Sequence, residues 1–161
     1  MKSSVLLDTS FFIRLLNDCD PLHSNAKGYF RFFLEKDIIL KVSTISIAEY
    51  CVKGKIDELP LRNIQIIPFN LDHARRTGEF AKAIFIENST AFEKLSPRAI
   101  IPNDSKLFAQ ADIDKSVNYF VTSDIRTNKT YATLLKQISP YFKIIDITIP
   151  YSQYFGMLDL Q

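Results

Sequence analysis

The stretch Val5-Leu6-Leu7-Asp8-Thr9-Ser10 sets a short apolar run directly against an acid and two hydroxyl residues. An apolar run without polar alternation suits a strand covered on both faces, as in a parallel sheet. A helical pattern from Thr9 to Asn17 follows at once, so Asp8 falls where strand hands over to helix. The same succession recurs down the chain. Ile38-Ile39-Leu40-Lys41-Val42, Tyr119-Phe120-Val121-Thr122 and Lys143-Ile144-Ile145-Asp146-Ile147 are further strand candidates, with Ile64-Gln65-Ile66-Ile67 a shorter one. Between them lie helical patterns. Ala26, Tyr29, Phe30, Phe33 and Leu34 share one apolar face. Ser46 to Gly54, Leu71 to Glu87, Asn103 to Asp114 and Thr127 to Ile138 read as helices, with Pro102-Asn103 and Pro140 as boundary signals. Alternating strands and helices predict an α/β fold, a three-layer α/β/α sandwich around a mainly parallel sheet.

With 161 residues, 47% of them hydrophobic and 24% charged, the chain reads as a single domain over 1–161 that can bury a core without disulfides. The stretch 88–98 has no clear period and is expected as an irregular insertion. A tail over 150–161 carries Tyr151, Tyr154, Phe155 and Met157 and is expected to pack back on the domain or on a partner. A net charge of +2 leaves no large electrostatic footprint for nucleic acid in the total, only room for a local basic rim. The 4 glycines form no phosphate-cradling loop of the P-loop or dinucleotide-binding kind. Cys19 and Cys51 have no zinc-ligand spacing, and His23 and His73 cannot supply an imidazole cage. The apolar run after Ser4 is too short for a signal peptide or a membrane span, so the expectation is a cytoplasmic protein with no membrane contact.

In an open parallel sheet the ligand site lies beyond the carboxyl ends of the strands. Four acids fall there on this reading. Asp8 follows the first strand, Glu49 lies about one turn into the helix after the second, Asp104 sits in the first turn of its helix, and Asp124 follows the third long strand after Ser123. Carboxylates gathered in one place repel, and some would take up protons at neutral pH. A hard divalent cation relieves this through oxygen ligands. Acids without a nucleophilic side chain therefore point to water activated by metal, and a phosphodiester is the natural electrophile. Each acid alone has a plainer explanation: Asp8 as a helix cap, Glu49 as a solvated helical residue, Asp104 as a partner of the helix dipole, Asp124 as a turn residue. Asp112 and Asp114 fall at the far end of their helix and read as solvated or loop residues; Cys51 reads as a small buried hydrophobe. Arg14, Lys53, Lys55, Arg126 and Lys129 are candidates to line an RNA path near the acids.

Taken in order, these segments resemble a PIN-domain ribonuclease. Val5 to Ser10 is similar to that family's opening strand and first acid. Ser43-Thr44-Ile45-Ser46-Ile47-Ala48-Glu49-Tyr50, with Gly54 beyond, is similar to the second-strand and helix motif. Ile101-Pro102-Asn103-Asp104-Ser105-Lys106-Leu107-Phe108-Ala109-Gln110-Ala111 is similar to the segment with the third acid, and Phe120-Val121-Thr122-Ser123-Asp124 to the strand with the fourth. The resemblance implies an endoribonuclease dependent on Mg²⁺ or Mn²⁺, with one or two ions, that leaves 5′-phosphate and 3′-hydroxyl ends. It implies that Asp8, Asp104 and Asp124 hold metal and that Glu49 binds or tunes the metal site, directly or through water. It assigns Ser10, Thr122 and Ser123 to orienting the carboxylates. Many such proteins resemble VapC-type toxins, which implies an antitoxin partner and a homodimer. Where some relatives carry a further acid after the fourth, this chain has Ile125-Arg126-Thr127-Asn128. Two other readings of the residues stand beside this one: a catalytically silent PIN-like module that binds RNA or scaffolds a complex, and a phosphoaspartyl domain acting through Asp8.

Overall fold

Each of the short apolar runs forms a strand in the computed structural model, which describes residues 2–88 and 103–157. The elements are β1 (Ser4–Leu7), α1 (Thr9–Leu15), α2 (His23–Glu35), β2 (Ile39–Ser43), α3 (Thr44–Tyr50), β3 (Ile64–Ile67) and α4 (Leu71–Asn88). After them come α5 (Asn103–Ile113), β4 (Val117–Thr122), α6 (Ile125–Leu134), β5 (Lys143–Asp146) and α7 (Tyr151–Tyr154). The five strands lie in the order β3-β2-β1-β4-β5 and every neighbouring pair is parallel. The sheet therefore grows one way from β1 through β2 to β3, and then the other way through β4 to β5. The change of direction leaves a crevice between β1 and β4 at their carboxyl ends. The α/β sandwich is as the alternation of patterns predicted, and Ile64–Ile67 proves to be a full edge strand.

The pleat of β1 divides the core in two. Val5 and Leu7 point to one face, where Phe11, Phe12, Tyr29, Phe33, Leu40, Val42, Val121 and Ile145 complete a buried cluster. Leu6 points to the other, against Phe80, Ile84, Leu107, Phe108, Phe120, Leu134 and Phe142. Being buried on both faces is why β1 shows no polar alternation. The tail does pack on the domain: Phe155 stacks on Phe32 with ring centroids 4.8 Å apart, and Tyr151 lies 5.2 Å from Phe32. The stretch expected as an insertion over 88–98 opens with the last residue of α4, and from residue 89 it lies outside the described residues.

Three sequence expectations need correction. Asp112 is not solvated but 2% exposed. Its Oδ2 accepts from Arg76 Nε at 2.8 Å and its Oδ1 from the Tyr141 backbone N–H at 2.8 Å, so it ties α4 and α5 to the segment entering β5. Asp114 is paired with Lys41, a lysine buried in the middle of β2. Lys41 also donates to Ser116 at 2.7 Å. A charge at a sheet interior can be buried only when paired and hydrogen-bonded in this way. Cys51, read as buried, is exposed at the end of α3.

Phe108 is fully buried and its ring meets Phe120, Tyr131 and Phe142 at centroid distances of 5.1, 5.7 and 5.5 Å. Phe108→Ala is expected to cost about 3–5 kcal/mol, measured as a lower urea midpoint at unchanged slope.

Candidate active site

β1 delivers Asp8 to the crevice. Its backbone N–H donates to the carbonyl of Val121 on β4 at 3.0 Å, which extends the β1–β4 pairing one residue beyond the strand. The side chain is 6% exposed. Oδ1 accepts from the Thr9 N–H at 2.7 Å, and Oδ2 accepts from Ser10 Oγ at 2.9 Å and Thr122 Oγ1 at 2.8 Å. Ser10 and Thr122 therefore hold one carboxylate oxygen from two different strand ends. Their hydroxyls also lie 3.1 Å apart, and Ser10 Oγ accepts from the Ser123 N–H at 2.9 Å. Ser123 thus joins this network through its backbone, while its hydroxyl accepts from Arg14 Nε at 3.4 Å.

The other three acids arrive from separate elements. Asp124 caps α6: its Oδ1 accepts from the Arg126 N–H at 2.8 Å, while its own N–H donates to Thr122 Oγ1 at 3.1 Å. Asp104, in the first turn of α5, accepts at Oδ1 from Thr127 Oγ1 at 3.1 Å. Glu49 projects from α3 and accepts at Oε2 from Thr9 Oγ1 and at Oε1 from Asn103 Nδ2. The four groups feel one another. Burial pushes the Asp8 carboxyl up to about 6 against the hydrogen bonds from Thr122, Ser10 and Thr9, and the charge of Asp104 adds to the rise. Asp104 is also held above its ordinary value, first by burial and then by the charges of Asp124 and Glu49, with the Thr127 bond and Arg126 opposing.

The donor set is oxygen alone, which fits a hard cation in kind. In spacing it is looser: among the described residues, no three His, Cys, Asp or Glu side chains are gathered closely enough to hold one ion jointly as they stand.

Several residues around the acids escaped the sequence reading. Thr9, Asn103 and Thr127 each donate to one of the carboxyls, yet Asn103 reads only as a helix start and Thr127 only as a position in the first turn of its helix. Asp146 is a fifth acid on the same edge. It ends β5 and accepts from Asn128 Nδ2 at 3.1 Å, and Asn128 in turn donates to the Asp124 carbonyl at 3.2 Å. The rule that found Asp8 would have found Asp146 had the strand not been expected to run on through Ile147.

No family model matches the chain, and no curated protein matches it. Solved structures do. The chain is 17% identical to one in the crystal structure of VapBC2 from Rickettsia felis bound to a DNA fragment from its promoter, covering 88% of this chain and 97% of that one with a TM-score of 0.60. It is 16% identical to one in DNA-bound VapBC from Salmonella typhimurium, covering 90% and 98%, with a TM-score of 0.53. The fold is PIN-like. At such identities the likeness carries the architecture, and the acids must be argued from their own surroundings.

The raised Asp8 carboxyl has a measurable consequence. Its stability contribution is fully present while the group is protonated, below about 4, and is lost as the pH rises through its folded value of about 6. Asn keeps the capping geometry and never ionises. Without divalent ions, Asp8→Asn is therefore expected to exceed the wild type in stability by up to about 3 kcal/mol at pH 7.5, the gap closing by pH 4, as read from urea unfolding across that range.

Proposed function

We propose that the protein is an endoribonuclease, dependent on Mg²⁺ or Mn²⁺, that hydrolyses RNA phosphodiester bonds as the toxin of a toxin–antitoxin pair. The observation that carries this reading is the convergence of Asp8, Glu49, Asp104 and Asp124 at the β1–β4 crevice, each fixed by its own donor and two of them held above their ordinary pKa. Asp8, Asp104 and Asp124 would hold one or two ions, with Glu49 binding them directly or through water. When bound, a divalent ion supplies a more acidic water and neutralises charge on the leaving oxygen. The chain's own part is positional. Ser10 and Thr122 fix the Asp8 oxygen, Thr127 fixes Asp104, Thr9 and Asn103 fix Glu49, and the first N–H groups of α6 fix Asp124. Water attacks phosphorus, the P–O3′ bond breaks, and 5′-phosphate and 3′-hydroxyl ends result. The compartment that goes with this substrate is the cytoplasm; among the described residues no helix is long and apolar enough to cross a membrane.

Beside Glu49 runs a groove of about 770 Å³ lined by Ile13, Leu16, Tyr50, Val52 and Gly54. Ile13 and Val52 are 50% and 78% exposed in it. A Cβ on Gly54 would run into the Tyr50 ring, which would have to shift to admit any other residue in this wall. The groove suits an apolar helix of a small antitoxin, laid so that it also covers the acids.

Among the described residues no three such side chains are placed to hold one ion jointly, which favours one second reading, a silent module that binds RNA without cutting it. A phosphoaspartyl role for Asp8 is disfavoured by its burial and by hydrogen bonds on both carboxylate oxygens.

Cleavage of a mixed RNA pool in Mg²⁺, Mn²⁺ or EDTA separates these. Wild type is expected to cut with either ion and not in EDTA. Asp8→Asn, Asp104→Asn and Asp124→Asn are expected to lose at least a hundredfold in rate with the fold intact by circular dichroism. Binding without cleavage under every condition would select the silent module.

A further inference from the structure

A site built of carboxylates repels the strand it is meant to cut, because an RNA backbone is a line of negative charge. Some fixed cation must therefore lie close to the acids and outside their cluster. The basic residues singled out in the sequence do not share one path. Lys53 lines the apolar groove, and Lys129 faces a separate depression beside Lys136. Arg14 and Arg126 line one cavity together with Asp124, whereas Lys53 shares its largely apolar groove with Glu49. The Arg14 cavity measures about 420 Å³ and its walls are Ser10, Arg14, Ser123, Asp124, Ile125 and Arg126.

Of the two, Arg14 is the anchored one. It sits on α1, six residues after Asp8, with its side chain 37% exposed. Nη1 pairs with Asp20 Oδ2 at 2.6 Å, and Nε reaches Ser123 Oγ at 3.4 Å. Asp20 is itself held, 8% exposed, by the Leu22 N–H on Oδ1 at 2.8 Å. Nη1 is thus tied to a fixed strut, and among the described residues Nη2 has no partner. A guanidinium already immobilised loses little freedom when it takes a phosphate, and its planar fork matches two phosphate oxygens. Arg126 is 89% exposed and lies 3.7 Å from Asp124 Oδ1, so it forms the solvent-facing rim of the same cavity.

We propose that Arg14, strutted by Asp20, binds the backbone phosphate of a single-stranded RNA next to the one being cleaved, in the cavity bounded by Ser10, Ser123 and Arg126. This rests on the ribonuclease reading for the identity of the strand. The cavity and the strut do not depend on whether cleavage occurs. The Ser123 hydroxyl accepts from Arg14 Nε and so keeps its own hydrogen for the bound phosphate, while that of Ser10 is given to Asp8. The place of the phosphate against Asp124 sets the neighbouring phosphodiester over the acids.

The test is binding of a short, labelled single-stranded RNA of mixed sequence, followed by anisotropy over a range of salt in Mg²⁺. All proteins carry Asp8→Asn, which is expected to remove cleavage; because it is common to every arm, any effect it has on Ser10 cancels in the comparison. Arg14→Ala is expected to weaken binding about tenfold and to reduce the slope of log affinity against log salt by about 0.7, the loss of one phosphate contact on a single strand. Arg14→Gln keeps a donor for Asp20 and serves if the alanine variant unfolds; it is expected to show the same loss of slope. Lys2→Ala removes an equal charge beside Asp37 at the opposite end of β1 and is expected to change neither quantity. Arg14 variants with the slope of Lys2→Ala overturn the proposal, as does an absence of RNA binding by the parent protein. If the slope depends on Arg14 but a protein with Asp8 intact cuts no RNA in Mg²⁺ or Mn²⁺, the phosphate site stands and the ribonuclease reading alone falls.

Discussion

The Asp8 carboxyl, held out of water where β1 ends between β2 and β4, is costly to ionise and costly to leave unpaired. Much of the surrounding architecture answers to that constraint. Three donors from two strand ends close on its oxygens. The hydroxyls that do so, Ser10 and Thr122, also organise the backbone of Ser123 and Asp124, so that the turn after β4 is shaped by the same acid. A parallel sheet with a change of direction beside its central strand is what makes such a position available, because two strand ends there diverge and leave the crevice uncovered.

Around that centre Asp104 and Glu49 are held by neighbours from other elements, and Asp124 by the start of the helix it caps. Asp104 meets Thr127 of α6, and Glu49 meets Asn103 of α5. These cross-links bring four short, locally unremarkable segments together, and the charges of Asp124 and Glu49 raise the cost of ionising Asp104 as that of Asp104 does for Asp8. Such a group of acids gains most from a counter-charge. The chain meets a similar difficulty elsewhere without a ligand: Asp112 and Asp114 are neutralised internally by Arg76 and Lys41. Among the described residues no lysine or arginine is inserted among the four acids in the same manner. Arg126 approaches Asp124 from solvent, and Arg14 is tied to Asp20. Internal pairing in one acidic pair and its absence in the other distinguishes scaffold from candidate site more clearly than acidity does.

The fold was largely legible because its signals are local. An apolar run buried on both faces looks different from an amphipathic one, and the boundaries of most elements fall within two or three residues of where periodicity sets them. The errors have a common cause. The helix expected over Ser46 to Gly54 runs instead over Thr44–Tyr50, begun by the Ser43 cap on the Ile45 N–H and followed by a turn in which the Tyr50 hydroxyl donates to Glu58. β5 stops at Asp146, not Ile147, because the Asp146 side chain turns to meet Asn128 and the N–H of Thr148. In both places a contact with residues outside the local period decides the end.

What the sequence by itself determined is the alternation of strands and helices and the placing of Asp8, Glu49, Asp104 and Asp124 at the ends where such a sheet opens. Strand ends and helix starts are read from neighbours in the chain, so these needed no partner. Only the tertiary structure decided which acids are neutralised and which are left facing one another. Asp112 looked as free as Asp104 in the sequence; a ring of contacts from α4 and the segment before β5 buried the first, while the crevice kept the second among other acids. Charge compensation is set by distances across the fold, between residues tens of positions apart, and no local pattern records them.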